Sequence, residues 1–193
     1  MADTGLTLAQ DLCARLCHDL VGPLGTMANA VEMVGDDPDA AELAREAAAS
    51  LRAKLQLWRA ACGAGTGPMG GAEIAALLDG VLGGGRATVA AGALPPAPFA
   101  APVAQLLLVA AMLAGEALPR GGTVHLLPED GGIAVRPEGR VVAWPPGLAP
   151  ALAGGVAEGP RAVLAPMLAR LAQDAGWQAV LGAESLLLRL RRG

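Results

Sequence analysis

His18 is one of two histidines in 193 residues, and Asp19 follows it directly. With an unperturbed pKa around 6.5, imidazole at neutral pH has a free lone pair and is a nucleophile. An adjacent carboxylate can accept a hydrogen bond from one ring nitrogen, fix the tautomer and leave the other nitrogen to attack. Acyl transfer would need a serine or cysteine partner and an oxyanion hole. Cys17 is adjacent in sequence but about 100° round a helix, which disfavours a dyad. Direct attack on phosphorus fits the His18–Asp19 pair better. Arg15, one helical turn earlier, is the residue type that meets phosphoryl oxygens.

These residues lie in a segment, 6–34, that reads as one long helix. Take 100° per residue and His18 as the origin: Asp11, Ala14, Gly22, Gly25, Asn29 and Glu32 then fall within about 60° of it. Leu16, Leu20, Met27, Val31 and Val34 fall more than about 130° away. His18 is therefore expected in solvent, opposite the apolar stripe. Glycine inside a helix costs about 1 kcal/mol relative to alanine. Pro23 costs more, because it removes a hydrogen bond and kinks the axis. A helix with such residues beside an exposed imidazole is ill-suited to pure scaffolding, and conflicts of this kind tend to fall at functional sites. The small residues clear room around the ring, so Gly22, Pro23, Gly25 and Asn29 form the expected docking face for a macromolecule.

A second helix is predicted over 40–62. Asp36 or Asp37 can cap it, Pro38 fits its first turn and Gly63 follows its end. Leu43, Ala47, Leu51, Leu55, Trp58 and Cys62 recur at helical spacing. A short link makes the two helices an antiparallel hairpin. Such a hairpin buries only one side of each helix, and a second copy is the simplest source of the missing pair. The expectation is a homodimer around a four-helix bundle, with Leu16, Leu20, Met27, Leu51, Leu55 and Trp58 in its core.

"GAGTGPMGG" at 63–71 contains Gly65-x-Gly67-x-x-Gly70, formally a dinucleotide fingerprint. That motif requires a preceding strand; here a helix precedes it and Pro68 interrupts it, so it reads as a flexible linker. "LGGGR" at 82–86 reads as a turn. Residues 72–82, 102–118 and 160–176 read as helices, 86–93 as a strand, and 177–192 as a hairpin. "TVHLLPEDGGIAVRPEGRVVAW" reads as strands with turns at Asp130–Gly132 and Glu138–Gly139. His125 lies in the first of these with no acid or cysteine nearby in sequence, and no role is expected for it. Helices separated from antiparallel strands suggest an α/β sandwich.

Net charge is −4, all of it within residues 1–62, and no basic run exists. Nucleic acid is thereby excluded as an expected partner. Residues 87–115 carry no charge, but Pro95, Pro96, Pro98 and Pro102 interrupt them. The clean apolar run after Pro102 is shorter than the ~20 residues a membrane span needs, so a buried helix is expected. Cys13, Cys17 and Cys62 are odd in number and come without an apolar leader, which points to a reducing cytoplasm. Cys13 and Cys17 are spaced for one helix face but lack further ligands. They are expected to be buried small hydrophobes, with no metal bound.

The stretch "CHDLVGPLG" resembles the phosphoacceptor motif of bacterial sensor histidine kinases. There, His-Glu/Asp is followed by an apolar residue, two variable positions and Pro-Leu. His18, Asp19, Leu20, Pro23 and Leu24 match; Val21 and Gly22 replace the usual basic and small polar residues. The longer "ARLCHDLVGPLG" is more similar to the ChpT-type histidine phosphotransferases of bacterial phosphorelays, and the order of elements fits across nearly the whole chain. The resemblance implies an α+β fold: a dimerising phosphoacceptor hairpin (1–62), a linker (63–71) and a degenerate histidine-kinase-ATPase-like α/β sandwich (72–193). It implies His18 as phosphoacceptor, Asp19 as its orienting group and Arg15 as an aid to docking or charge neutralisation. The implied partners are receiver domains of a hybrid histidine kinase and of response regulators. Magnesium would come with the receiver, and the chain would hold no cofactor of its own.

Departures from the kinase pattern separate relay from kinase. In a kinase, the helix before a "GGT" strand carries two asparagines four residues apart. "QLLLVAAMLAGEALPRGGTV" aligns with that region from Gln105 to Val124, and the two positions hold Val109 and Leu113. An Asp-x-Gly-x-Gly motif is absent from the sequence, and "GPRAVLAPMLARL" stands where a glycine-rich lid would be. Apolar side chains cannot supply the oxygen ligands magnesium requires. Two alternatives stand beside the relay: an ATP-dependent sensor kinase core, which Val109 and Leu113 disfavour, and a non-catalytic dimer that sequesters a kinase or regulator.

Overall fold

A computed structural model describes residues 4–35, 37–63, 67–155 and 158–190. Helix α1 runs from Thr4–Met33 and α2 from Ala40–Ala61, packed side by side as a hairpin. Pro23 lies inside α1. A proline there has no amide for the carbonyl four residues back, which is that of Asp19. Lys54, the only lysine of the chain, reaches over from α2 and its Nζ donates to Asp19 O at 3.2 Å. The carbonyl that Pro23 leaves without an amide is thus satisfied from the neighbouring helix.

The hairpin turn differs from expectation. Asp37 Oδ1 accepts the Asp39 amide at 2.9 Å, and α2 begins only after Asp39. Pro38 therefore precedes the first helical turn, and Asp37 stabilises the turn rather than capping the helix. Asp36 lies outside the described residues. Gly63, with φ +85°, ends α2 in the left-handed conformation that favours glycine. Gly65 also lies outside the described residues. The glycine run at 83–85 has positive φ throughout, as a turn would.

Beyond the linker come α3 (Gly71–Leu78), β1 (Ala87–Ala90), α4 (Ala101–Glu116), β2 (Gly122–Glu129), β3 (Gly132–Glu138), α5 (Leu148–Leu152), α6 (Leu164–Asp174), β4 (Trp177–Leu181) and β5 (Leu186–Leu190). The strands form one mixed sheet in the order β1-β2-β3-β5-β4. Antiparallel pairing holds for β2–β3, β3–β5 and β4–β5, but β1 pairs with β2 in parallel. This corrects the antiparallel expectation, and the reason is the connection: a crossover through a long helix brings the chain back to start a parallel neighbour. The third strand expected after Glu138 does not form. Residues 140–144 are irregular, and the Ala143 amide donates to Ala117 O at 2.8 Å at the end of α4. At the start of β2, a Cβ on Gly122 would overlap the Glu138 carbonyl oxygen, so the close strand approach there requires glycine.

α4 is the centre of the molecule. Eleven of its sixteen residues are buried, and it packs against the sheet, α2, α3 and α6. Leu57, Trp58 and Ala61 of α2 belong to the same core, and Leu12 and Leu16 of α1 lie against it. The hairpin is therefore seated on the α/β unit. Eight of the twelve exposed large hydrophobic residues among those described lie on the hairpin, including Val21, Val31 and Leu55. Of the expected bundle core, Trp58 is buried, Leu16, Leu20, Met27 and Leu51 are half-buried, and Leu55 is 47% exposed. Among the described residues no helix is long and apolar enough to cross a membrane.

Candidate functional site

The His18 side chain is 76% exposed, as the helical wheel requires, and its Nδ1 lies 3.2 Å from Asp19 Oδ1. The other ring nitrogen, Nε2, is left for an incoming group. Asp19 is itself held: Arg15 Nε donates to both of its carboxylate oxygens at 3.1 Å. Arg15 Nη2 donates to Glu116 Oε1, the last residue of α4, at 2.6 Å. Burial pushes the Glu116 carboxyl above the ordinary carboxylate range, an effect the Arg15 charge and hydrogen bond oppose. Burial alone would lower the Arg15 pKa, but Glu116 and Asp19 raise it, so the guanidinium stays charged.

Gly22 and Gly25 face open space: a Cβ on either would meet nothing within 4 Å. Asn29 is exposed on the same stretch, and Pro23 is half-buried. Beside His18 is an open recess of about 710 Å³, lined by Ala14, Arg15, Asp19 and residues 158–162 of the α/β unit. Asp11 Oδ2 accepts the Gly159 amide at 2.8 Å and holds that segment against α1. The structure thus brings His18, Asp19 and Arg15 together and leaves Gly22, Gly25 and Asn29 clear along the helix.

Two residues escaped the sequence reading. Lys54 occupies the Asp19 carbonyl, and Glu116 occupies Arg15. The one signal for Glu116 was its place: a lone acid ending a long uncharged stretch needs a partner. Arg15 thus holds two carboxylates through Nε and Nη2, a contact the sequence reading did not anticipate. The cysteines also need correction. Cys13, Cys17 and Cys62 are all exposed, because the hairpin buries its core through other faces. Partial burial, with Cys13 nearby, still raises the Cys62 thiol pKa. His125 does have an acid beside it. Its Nε2 lies 3.0 Å from Glu138 Oε2, because the β2–β3 pairing closes a gap of thirteen residues. Among the described residues no group of three or more His, Cys, Asp or Glu could hold a metal ion.

The family described as histidine phosphotransferase C-terminal domain matches residues 71–184, more than half of the chain. The chain belongs to this histidine phosphotransferase family. The matched span covers the α/β unit and leaves His18 outside it. Protein phosphotransferase ChpT of Brucella abortus (strain 2308) is 39% identical over 64 residues, 32% of this chain and 31% of that relative. The similarity therefore spans less than a third of the relative's length. A solved structure described as a bacterial phosphotransferase shares the fold with a TM-score of 0.77, over 97% of each chain and at 24% identity. The shared fold includes the hairpin together with the α/β unit.

Proposed function

We propose that this chain relays a phosphoryl group between receiver-domain aspartates through His18. The observation that carries the reading is an exposed imidazole whose Nδ1 faces a held carboxylate while Nε2 opens beside a recess. With the proton on Nδ1 and shared with Asp19, the Nε2 lone pair attacks phosphorus of an aspartyl phosphate. The bond from phosphorus to the carboxylate oxygen breaks, and that oxygen leaves with the electron pair. The ring gains positive charge, which Asp19 stabilises. The reverse step on a second receiver returns the imidazole. Magnesium enters with the receiver, whose acidic pocket holds it. The clear face at Gly22, Pro23, Gly25 and Asn29 admits the receiver, and the recess lets residues 158–162 approach it.

The reading extends to the whole chain. Residues 1–62 form the dimerising phosphoacceptor unit and 72–193 a degenerate ATPase-like unit without nucleotide binding, joined by 63–71. The apolar outer side of the hairpin supports a second copy of this chain as its cover. Val109 and Leu113, where a kinase would place asparagines, are buried in the α4 core, which supports the loss of nucleotide. The cytoplasm is the compartment in which receivers and such a relay would meet. The test is incubation with a phosphorylated receiver. The expected product is a labelled protein whose phosphate is lost in acid and kept in alkali, and which then labels a second receiver. Failure to take up label from any cognate phosphorylated receiver would overturn the relay.

A further inference from the structure

The contacts that end at His18 begin in the α/β unit. Glu116 closes α4, the helix around which the core is built. Its Oε1 accepts from Arg15 Nη2, Arg15 Nε spans both oxygens of Asp19, and Asp19 Oδ1 meets His18 Nδ1. Three side-chain contacts in series therefore join Glu116 to a ring 98 positions earlier in the chain. His18 is 76% exposed, whereas Asp19, Arg15 and Glu116 are 22%, 18% and 25% exposed. A guanidinium is a rigid planar fork. With Nε on Asp19 and Nη2 on Glu116, two of its nitrogens are held by different partners. Without Glu116, Arg15 could turn toward the recess beside His18, which it already lines, and its grip on Asp19 would loosen.

We propose that Glu116 is a positioning residue for the phosphotransfer site: by anchoring Arg15 to α4 it sets the Asp19 carboxylate, and through it the tautomer and orientation of the His18 ring. The proposal rests on His18 being the phosphoacceptor. The site is then built across the two units, and the α/β unit contributes to transfer without touching the phosphoryl group. Lys54 holds the Asp19 main chain, and the Glu116–Arg15 pair holds its side chain.

The near-isosteric Glu116→Gln variant tests this through two readouts. Transfer from a phosphorylated receiver is followed over a range of receiver concentrations, and the His18 ring nitrogens are followed by nitrogen-15 NMR. The expected result is a rate at saturation lower by about tenfold, the lower end of what removing an orienting partner costs a ligating histidine. The concentration for half-saturation should be unchanged, and the share of ring protonated on Nδ1 should fall. Glu116→Asp, which keeps the charge, should recover part of both. Asp19→Asn combined with Glu116→Gln should be no slower than Asp19→Asn alone, since Glu116 acts through Asp19. A wild-type rate with an unchanged tautomer would overturn the proposal. So would a lowered melting temperature with no change in tautomer, which would make the pair merely structural. If the unaltered protein accepted no phosphate, the relay itself would fail, and the nitrogen-15 readout would still decide whether Glu116 sets the ring.

Discussion

At the scale of single residues, His18 and Asp19 differ in what their loss should do. The imidazole stands in solvent, so His18→Gln opens no cavity and should leave the melting curve unchanged while abolishing acid-labile labelling. Asp19→Asn keeps an acceptor for Nδ1 but removes the charge that stabilises the ring as it becomes cationic. It should slow transfer by roughly 10²–10⁴-fold, the range of a positioned acid–base partner, without abolishing it. Normal labelling of His18→Gln would remove the central assignment. Both residues were legible before any fold was known, because a helical wheel and a neighbouring carboxylate are local facts. Arg15 was legible as a neighbour of the site, but its contact with Glu116 was not. Its second partner, Glu116, comes 101 positions later, and no helical spacing reports such a meeting.

At the scale of elements, α1 combines a proline with an otherwise regular helix, and the Lys54 contact explains how. Alanine is about 3 kcal/mol better than proline within a helix. Pro23→Ala would also restore an amide to the Asp19 carbonyl. Against this, proline restrains the unfolded chain by about 0.4–1 kcal/mol, and Lys54 already supplies one hydrogen bond. The expected net gain is roughly 1–2 kcal/mol, seen as a higher urea midpoint. Lys54→Met should destabilise the native protein, yet cost little in the Pro23→Ala background, where the carbonyl has another donor. Equal costs in both backgrounds would show that Lys54 does not complete the helix. The helices themselves were readable from 3.6-residue periodicity, with ends within a few residues. The parallel β1–β2 pair and the irregular 140–144 segment were not, since strand pairing and its absence depend on distant chain. α5 is five residues long and leaves almost no periodic signal.

At the scale of the whole molecule, two expectations concern what the protein binds. Val109 and Leu113 are buried in the α4 core, and the first expectation is that nucleotide does not bind. Calorimetric titration with ATP and magnesium should give no saturable heat, and micromolar binding would favour a kinase. The second expectation is the dimer. A soluble chain gains about 1.5–3 kcal/mol from each large apolar side chain it buries. Yet this chain leaves Leu6, Val21, Leu24, Val31, Met33, Val34, Leu43 and Leu55 exposed on one hairpin. The same pattern was readable in sequence as two helices with too few neighbours, though not which residues would face outward. Leu55 was expected in the core and is half open in the protomer, which suits a place covered by a partner helix. Leu55→Glu should therefore leave the protomer's helical circular dichroism unchanged, because the site is open there. In a dimer it would bury a carboxylate against apolar groups at a cost exceeding anything the leucine contributes. Light scattering at high micromolar concentration should then report a dimer for the unaltered chain and a monomer for the variant. A monomer in both would mean that the hairpin's apolar side serves something other than a second copy of this chain.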